Sequence, residues 1–131
     1  MKFSVGANAL TVNSLGRLCL AGNAGTHTIK LVNASNGTDI AGGSLSINMA
    51  GCTAGQFRYA TLPNPVALTA NRAYYLASQE SVGGDLWYEF GAVSSTNVAA
   101  VNASVWFDGA NWNALTSTAN TSYVPVDFLY Q

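Results

Sequence analysis

The sequence predicts an all-β domain, a two-sheet antiparallel β-sandwich of jelly-roll type. Three observations predict it. Apolar and polar residues alternate through most of the chain, and no window has helical spacing with caps. Turn-forming clusters recur between the alternating stretches, at Gly22-Asn23-Ala24-Gly25, Asn36-Gly37, Pro63-Asn64-Pro65, Gly83-Gly84 and Asp108-Gly109. Charged residues make up only 8% of the chain, while Asn, Ser, Thr and Gly together supply 49 of its 131 residues. A chain solubilised by hydroxyls and amides suits an extracellular β-domain better than a cytosolic enzyme.

The length is that of one domain, residues 1–131, with no linker and no internal repeat. Strands are expected at about 8–14, 15–21, 27–33, 39–50, 56–61, 65–69, 72–80, 86–91, 97–107, 112–116 and 122–130. Strand side chains alternate between faces, so each window divides into an inner and an outer set. His27, Ile29 and Leu31 face inward, against Thr28 and Lys30. Leu86, Tyr88 and Phe90 face inward, against Trp87 and Glu89. Val101, Ala103, Val105 and Phe107 form one apolar face, with Asn102, Ser104 and Trp106 opposite. Val124, Val126, Phe128 and Tyr130 face inward, against Tyr123 and Asp127. Arg58 lies on the polar side, opposite Phe57 and Tyr59. Arg17 and Cys19 share a face, which suggests that this face lies near a sheet edge. Trp112 falls opposite Phe107 across the Asp108–Asn111 turn and is expected to pack on it.

The net charge of −1 excludes a basic nucleic-acid footprint and a polybasic membrane tail. No apolar run reaches the ~20 residues of a membrane-spanning helix. The first residues, Met1-Lys2-Phe3-Ser4, have no apolar signal region, so the expectation is either an intracellular or phage-encoded chain or one whose signal peptide or neighbouring domain lies outside this sequence. Two cysteines, Cys19 and Cys52, allow one disulfide; two buried thiols are the other reading. An exported location favours the bridge.

Function is read from the tryptophans. Trp87 and Trp106 sit on polar faces, where an indole costs solubility unless it is covered or used. A sugar ring presents C–H bonds that stack on an aromatic face, and its hydroxyls are met by amide and charged side chains. Trp87 and Trp106 are therefore the expected stacking platforms, with Tyr88 and Trp112 second. Asn102, Asn111, Asp85, Glu89 and Arg58 form the expected polar rim. Cover by a second sheet, a loop or another subunit would explain the same indoles without a ligand.

The stretch Gln79–Tyr88 carries Glu80 and Asp85 around a Gly-Gly turn. Two carboxylates with nearby carbonyls can hold calcium, although the spacing matches no EF-hand loop. Solvated acids, or pairing with Arg58 or Arg72, are the plainer alternative. Glycoside hydrolysis needs two carboxylates across a cleft, at ~5 or ~6.5–9.5 Å. A chain this short offers little depth for a water-excluding cleft. The one histidine, His27, alternates in phase with core residues, and no serine sits in a nucleophile elbow. The expectation is a non-catalytic protein.

Three stretches carry a resemblance: Asn23-Ala-Gly-Thr-His-Thr-Ile-Lys-Leu-Val32, Pro65-Val-Ala-Leu-Thr-Ala-Asn-Arg-Ala-Tyr-Tyr-Leu76 and Gly84-Asp-Leu-Trp-Tyr88. Their pattern resembles bacterial extracellular accessory β-sandwich modules, the carbohydrate-binding-module-like domains beside catalytic domains in secreted or cell-surface proteins. The resemblance implies an extracellular, non-catalytic jelly roll, often with structural calcium and joined to a catalytic domain. The combined reading is a secreted polysaccharide- or glycan-binding domain. Its rival is a virion, filament or surface-layer protein whose tryptophans are contacts for self-association.

Overall fold

Alternation carries the chain into extended structure almost throughout. A computed structural model describes residues 1–87, 91–115, 119–124 and 126–131, and no helix occurs among them. The strands are β1 (Lys2–Val5), β2 (Leu10–Leu18), β3 (Thr26–Asn33), β4 (Asp39–Asn48), β5 (Phe57–Leu68), β6 (Ala73–Ser78), β7 (Gly91–Ala92), β8 (Ala99–Phe107), β9 (Trp112–Leu115), β10 (Thr121–Ser122) and β11 (Val126–Tyr130). One sheet runs β4-β3-β6-β1-β8-β9, a second β11-β2-β5, and a short third pairs β10 with β7. Every pairing is antiparallel.

β1 was not expected, because the alternation of Lys2-Phe3-Ser4-Val5 is too short to stand out. It nonetheless sits inside the large sheet, between β6 and β8. The windows expected at 8–14 and 15–21 merge into β2, and those at 56–61 and 65–69 merge into β5. The register of β2 with β5 shifts beyond Val12↔Val66, where Pro63 and Pro65 interrupt the ladder.

The main core takes side chains from both larger sheets. Phe3, Val5, Ile29, Leu31, Leu76 and Val101 come from one, and Leu10, Val12, Leu15, Leu62, Leu68 and Val126 from the other. The Phe3 ring reaches Phe128 at 5.2 Å between centroids, joining β1 to β11. Removing this apolar surface from water is what holds the sheets against each other.

A bulge in β8 overturns the single apolar face expected for 101–107. Phe3 pairs with Val101 but Lys2 pairs with Ala103, so Asn102 is an extra residue in β8. One extra residue moves all following side chains to the other face. Val101 stays in the main core. Val105 instead meets Val32 and Tyr75 on the opposite face, with Trp112 packed against them. Phe107, expected inside, is 51% exposed. Ser104, expected outside, is fully buried and its hydroxyl meets that of Thr121 at 2.9 Å.

The parity of β5 is also the reverse of the expectation. Tyr59 pairs with Gly16 and Phe57 with Leu18 on the outer face of the three-stranded sheet, while Arg58 pairs with Arg17. The Tyr59 ring lies directly over Gly16, where a Cβ would sit 2.6 Å from ring carbons. Only glycine permits that approach. Leu86 and Tyr130, expected inside, are exposed.

Cys19 and Cys52 form a disulfide across 33 positions, with their Cα atoms 6.0 Å apart. Such a bridge is consistent with an oxidising environment. No helix among the described residues is long and apolar enough to cross a membrane.

Candidate functional site

Two features stand out: a cleft that gathers the tryptophans, and a buried ionic clamp beside it. The clamp begins with Arg17. It lies on β2, the central strand of its sheet, and is 1% exposed. The expectation of a sheet edge at this face does not hold. A buried guanidinium must fill its donor positions. Nε donates to Glu80 Oε1 at 2.9 Å and Nη2 to Glu80 Oε2 at 3.0 Å. Nη1 donates to Asn23 Oδ1 at 2.8 Å, and Nη2 also reaches the Leu86 carbonyl at 3.1 Å.

His27 extends the clamp. Its inward placement is as expected, and it is 5% exposed. Nδ1 faces the Gln79 carbonyl at 3.0 Å and Glu80 Oε2 at 3.1 Å, and Nε2 faces Asp85 Oδ2 at 2.9 Å. All three partners are oxygen acceptors. Asp85 in turn accepts the backbone N–H of Ala24 and of Gly25. Burial would raise the Asp85 pKa, but the bonds from Ala24, His27 and Gly25 outweigh it and hold the carboxyl below its ordinary range. The expected alternative partners of these acids, Arg58 and Arg72, are not the ones used; Arg58 donates to the Ala50 carbonyl.

Glu80 and Asp85, the two carboxylates expected to hold calcium, are engaged by protein donors in this structure. Their oxygens accept from guanidinium, hydroxyl and N–H donors, including Ser78 Oγ at 2.5 Å from Glu80. No group of three or more His, Cys, Asp or Glu that could hold a metal occurs among the described residues. What the clamp does is mechanical. It fixes Glu80, Asp85 and the Leu86 carbonyl, and so fixes the backbone that presents Trp87.

Trp87 lines a cleft of about 750 Å³ together with Trp106 and Trp112, which are all the tryptophans in the chain. Its walls include Leu76, Ala77 and Ser78 of β6 and Val105, Trp106 and Phe107 of β8. Trp106 is 43% exposed and meets Tyr123 edge-on, with ring centroids 5.9 Å apart. Trp112 is more constrained. It stacks on Tyr75 at 4.7 Å and touches Phe107 at 5.2 Å, its register partner as expected.

The polar lining differs from the expected rim. It includes Thr28, Lys30, Asp39, Ser44, Gln79 and Glu80. Lys30 Nζ pairs with Asp39 Oδ1 at 2.7 Å. Asn102 is the bulge residue and accepts from Ser4 Oγ at 2.7 Å. Asn111 sits in the β8–β9 turn, its N–H bound to Asp108. Asn102, Asn111, Asp85 and Arg58 do not line the cleft. Tyr88 and Glu89 lie outside the described residues. Arg17, Asn23 and Lys30 were missed as site residues, although the shared face of Arg17 and Cys19 was a signal that Arg17 points inward.

No family model, curated protein or solved structure matches this chain. The geometry of the cleft and clamp is therefore the basis for a functional reading.

Proposed function

We propose that this protein is a non-catalytic glycan-binding domain, and that polysaccharide binds in the tryptophan-lined cleft. The observation that carries the reading is the convergence of Trp87, Trp106 and Trp112 on one cleft with hydroxyl and amide groups around them. Half-exposed indoles supply stacking surfaces, and the polar lining supplies hydrogen bonds to sugar hydroxyls. Affinity is modest, because each sugar hydroxyl must replace well-made bonds to water. We also read the two larger sheets, which share one core, as the two leaves of a jelly-roll sandwich. The disulfide supports an exported protein, here one that anchors a catalytic partner domain to polysaccharide. Pull-down on insoluble polysaccharides and a glycan array, with tryptophan fluorescence followed on the same sample, test it. Binding with a fluorescence change is expected; no binding to any glycan from a monomer would sink the reading.

A second reading has its own observation. Phe57, Tyr59 and Leu129 are exposed large side chains on the three-stranded sheet. Such a surface suits self-association in an assembled structure. Concentration-dependent oligomers in size-exclusion chromatography, without sugar, would put this reading first.

A further inference from the structure

The cleft that gathers the tryptophans is also lined by charged groups, and their pairing narrows the ligand. Among the described lining residues the charged side chains are Lys30, Asp39 and Glu80. Each is closed by a partner within the protein. Lys30 and Asp39 bind each other at 2.7 Å. Glu80 is held by both arms of the Arg17 guanidinium, by Ser78 Oγ and by His27. The Met1 amino group also lines the cleft, but it donates to the Leu76 carbonyl at 2.7 Å and burial lowers its pKa to about 5. What remains to meet a ligand is uncharged: indole rings, hydroxyls of Thr28 and Ser44, and the Gln79 amide.

We propose that the cleft selects uncharged polysaccharides and rejects uronate or sulfated ones. This rests on the glycan reading and adds the ligand's class to it. A ligand carboxylate would find no cation free to receive it. It would come against Asp39 beside Lys30, and Lys30 would have to leave its present partner. Leaving a charged ligand group desolvated and unpaired is the repulsive element that creates specificity. The Lys30–Asp39 pair is the gate. It is more exposed than the Glu80 clamp, with side-chain exposures of 34% and 59%, so breaking it perturbs the fold little.

The test uses matched polymers that share a backbone and differ in charged substituents: fully methyl-esterified and de-esterified homogalacturonan, dextran and dextran sulfate, cellulose and carboxymethylcellulose. Binding is measured for the wild type and for Asp39→Asn, at low and high salt. The wild type is expected to bind at least one neutral member about ten-fold or more tighter than its charged counterpart, with affinity unchanged by salt. Asp39→Asn frees Lys30 and is expected to gain binding to the charged member, in a salt-dependent way. Equal or tighter wild-type binding to the charged member overturns the proposal but leaves glycan binding standing. So does an Asp39→Asn protein that binds neutral polymer yet gains nothing for charged polymer. Failure of every polymer to bind overturns the glycan reading, and this proposal with it. Folding of the variant is checked by its melting temperature, and Lys30→Met is the second variant. It leaves a lone Asp39 and is expected to reject charged polymer more strongly than the wild type.

Discussion

Arg17 and Glu80, 63 residues apart in sequence, form a two-armed ion pair at 2.9 and 3.0 Å in which the guanidinium is almost wholly buried. This pair joins the middle of one sheet to the segment that leaves the other. It also places the Leu86 carbonyl, and therefore the start of Trp87, against β2.

Removing one member of a buried pair strands the other. Arg17→Met is expected to cost about 3–5 kcal/mol, because it leaves the Glu80 carboxyl in a buried site without its main partner. Arg17→Lys is expected to recover only part of that loss, since an ammonium cannot reproduce the fork to Glu80 together with the Asn23 and Leu86 contacts. Urea denaturation of the two variants checks both; a loss near zero for Arg17→Met would mean water takes over the role of Arg17.

The two tryptophans on β8 and β9 should separate binding from stability. Trp106→Ala is expected to abolish glycan binding while changing stability by no more than about 1 kcal/mol, because its ring meets Tyr123 only edge-on. Trp112→Ala is expected to cost about 2–3 kcal/mol, since it stacks on Tyr75 and covers Val32 and Val105. Melting temperatures beside binding isotherms read both effects. If Trp106→Ala unfolds the protein, that indole is part of the core.

Reduction of Cys19–Cys52 releases a constraint across 33 positions. In the chain-entropy account this lowers stability by about 3–4 kcal/mol. Paired melts with and without reductant, with a Cys19→Ala/Cys52→Ala double variant as control, measure it. An unchanged melting temperature would contradict the expectation.

Acid should open the clamp from the Asp85 side. The Asp85 pKa is lowered in the folded protein, with burial opposing and the Ala24, His27 and Gly25 bonds prevailing. A lowered carboxyl contributes stability above its unfolded value and loses it as pH falls through the folded value. Asp85→Asn is therefore expected to be less stable than the wild type near neutrality, with the gap closing as pH falls below the ordinary carboxylate range. Stability measured against pH for both proteins tests it; a gap that widened in acid would reverse the assignment.

The sequence by itself determined the all-β class and most strand positions. Alternation and turn residues are local signals, written within a few positions of where they act. It also determined the inward placement of His27, Ile29 and Leu31, and the pairing of Phe107 with Trp112 across a short turn. Only the tertiary structure decided the rest. The Asn102 bulge is visible in the pairing of β8 with β1 and not in either strand alone, and one inserted residue was enough to exchange the faces of Ser104 and Val105. The Tyr59 ring can lie on the outer face because Gly16 on the neighbouring strand leaves room for it there. The partners of Glu80 and Asp85, and the meeting of three tryptophans in one cleft, depend on contacts between strands far apart in the chain. Alternation states which residues share a face. It carries no information about which faces are brought together, because that is fixed by which apolar surfaces can be buried at once.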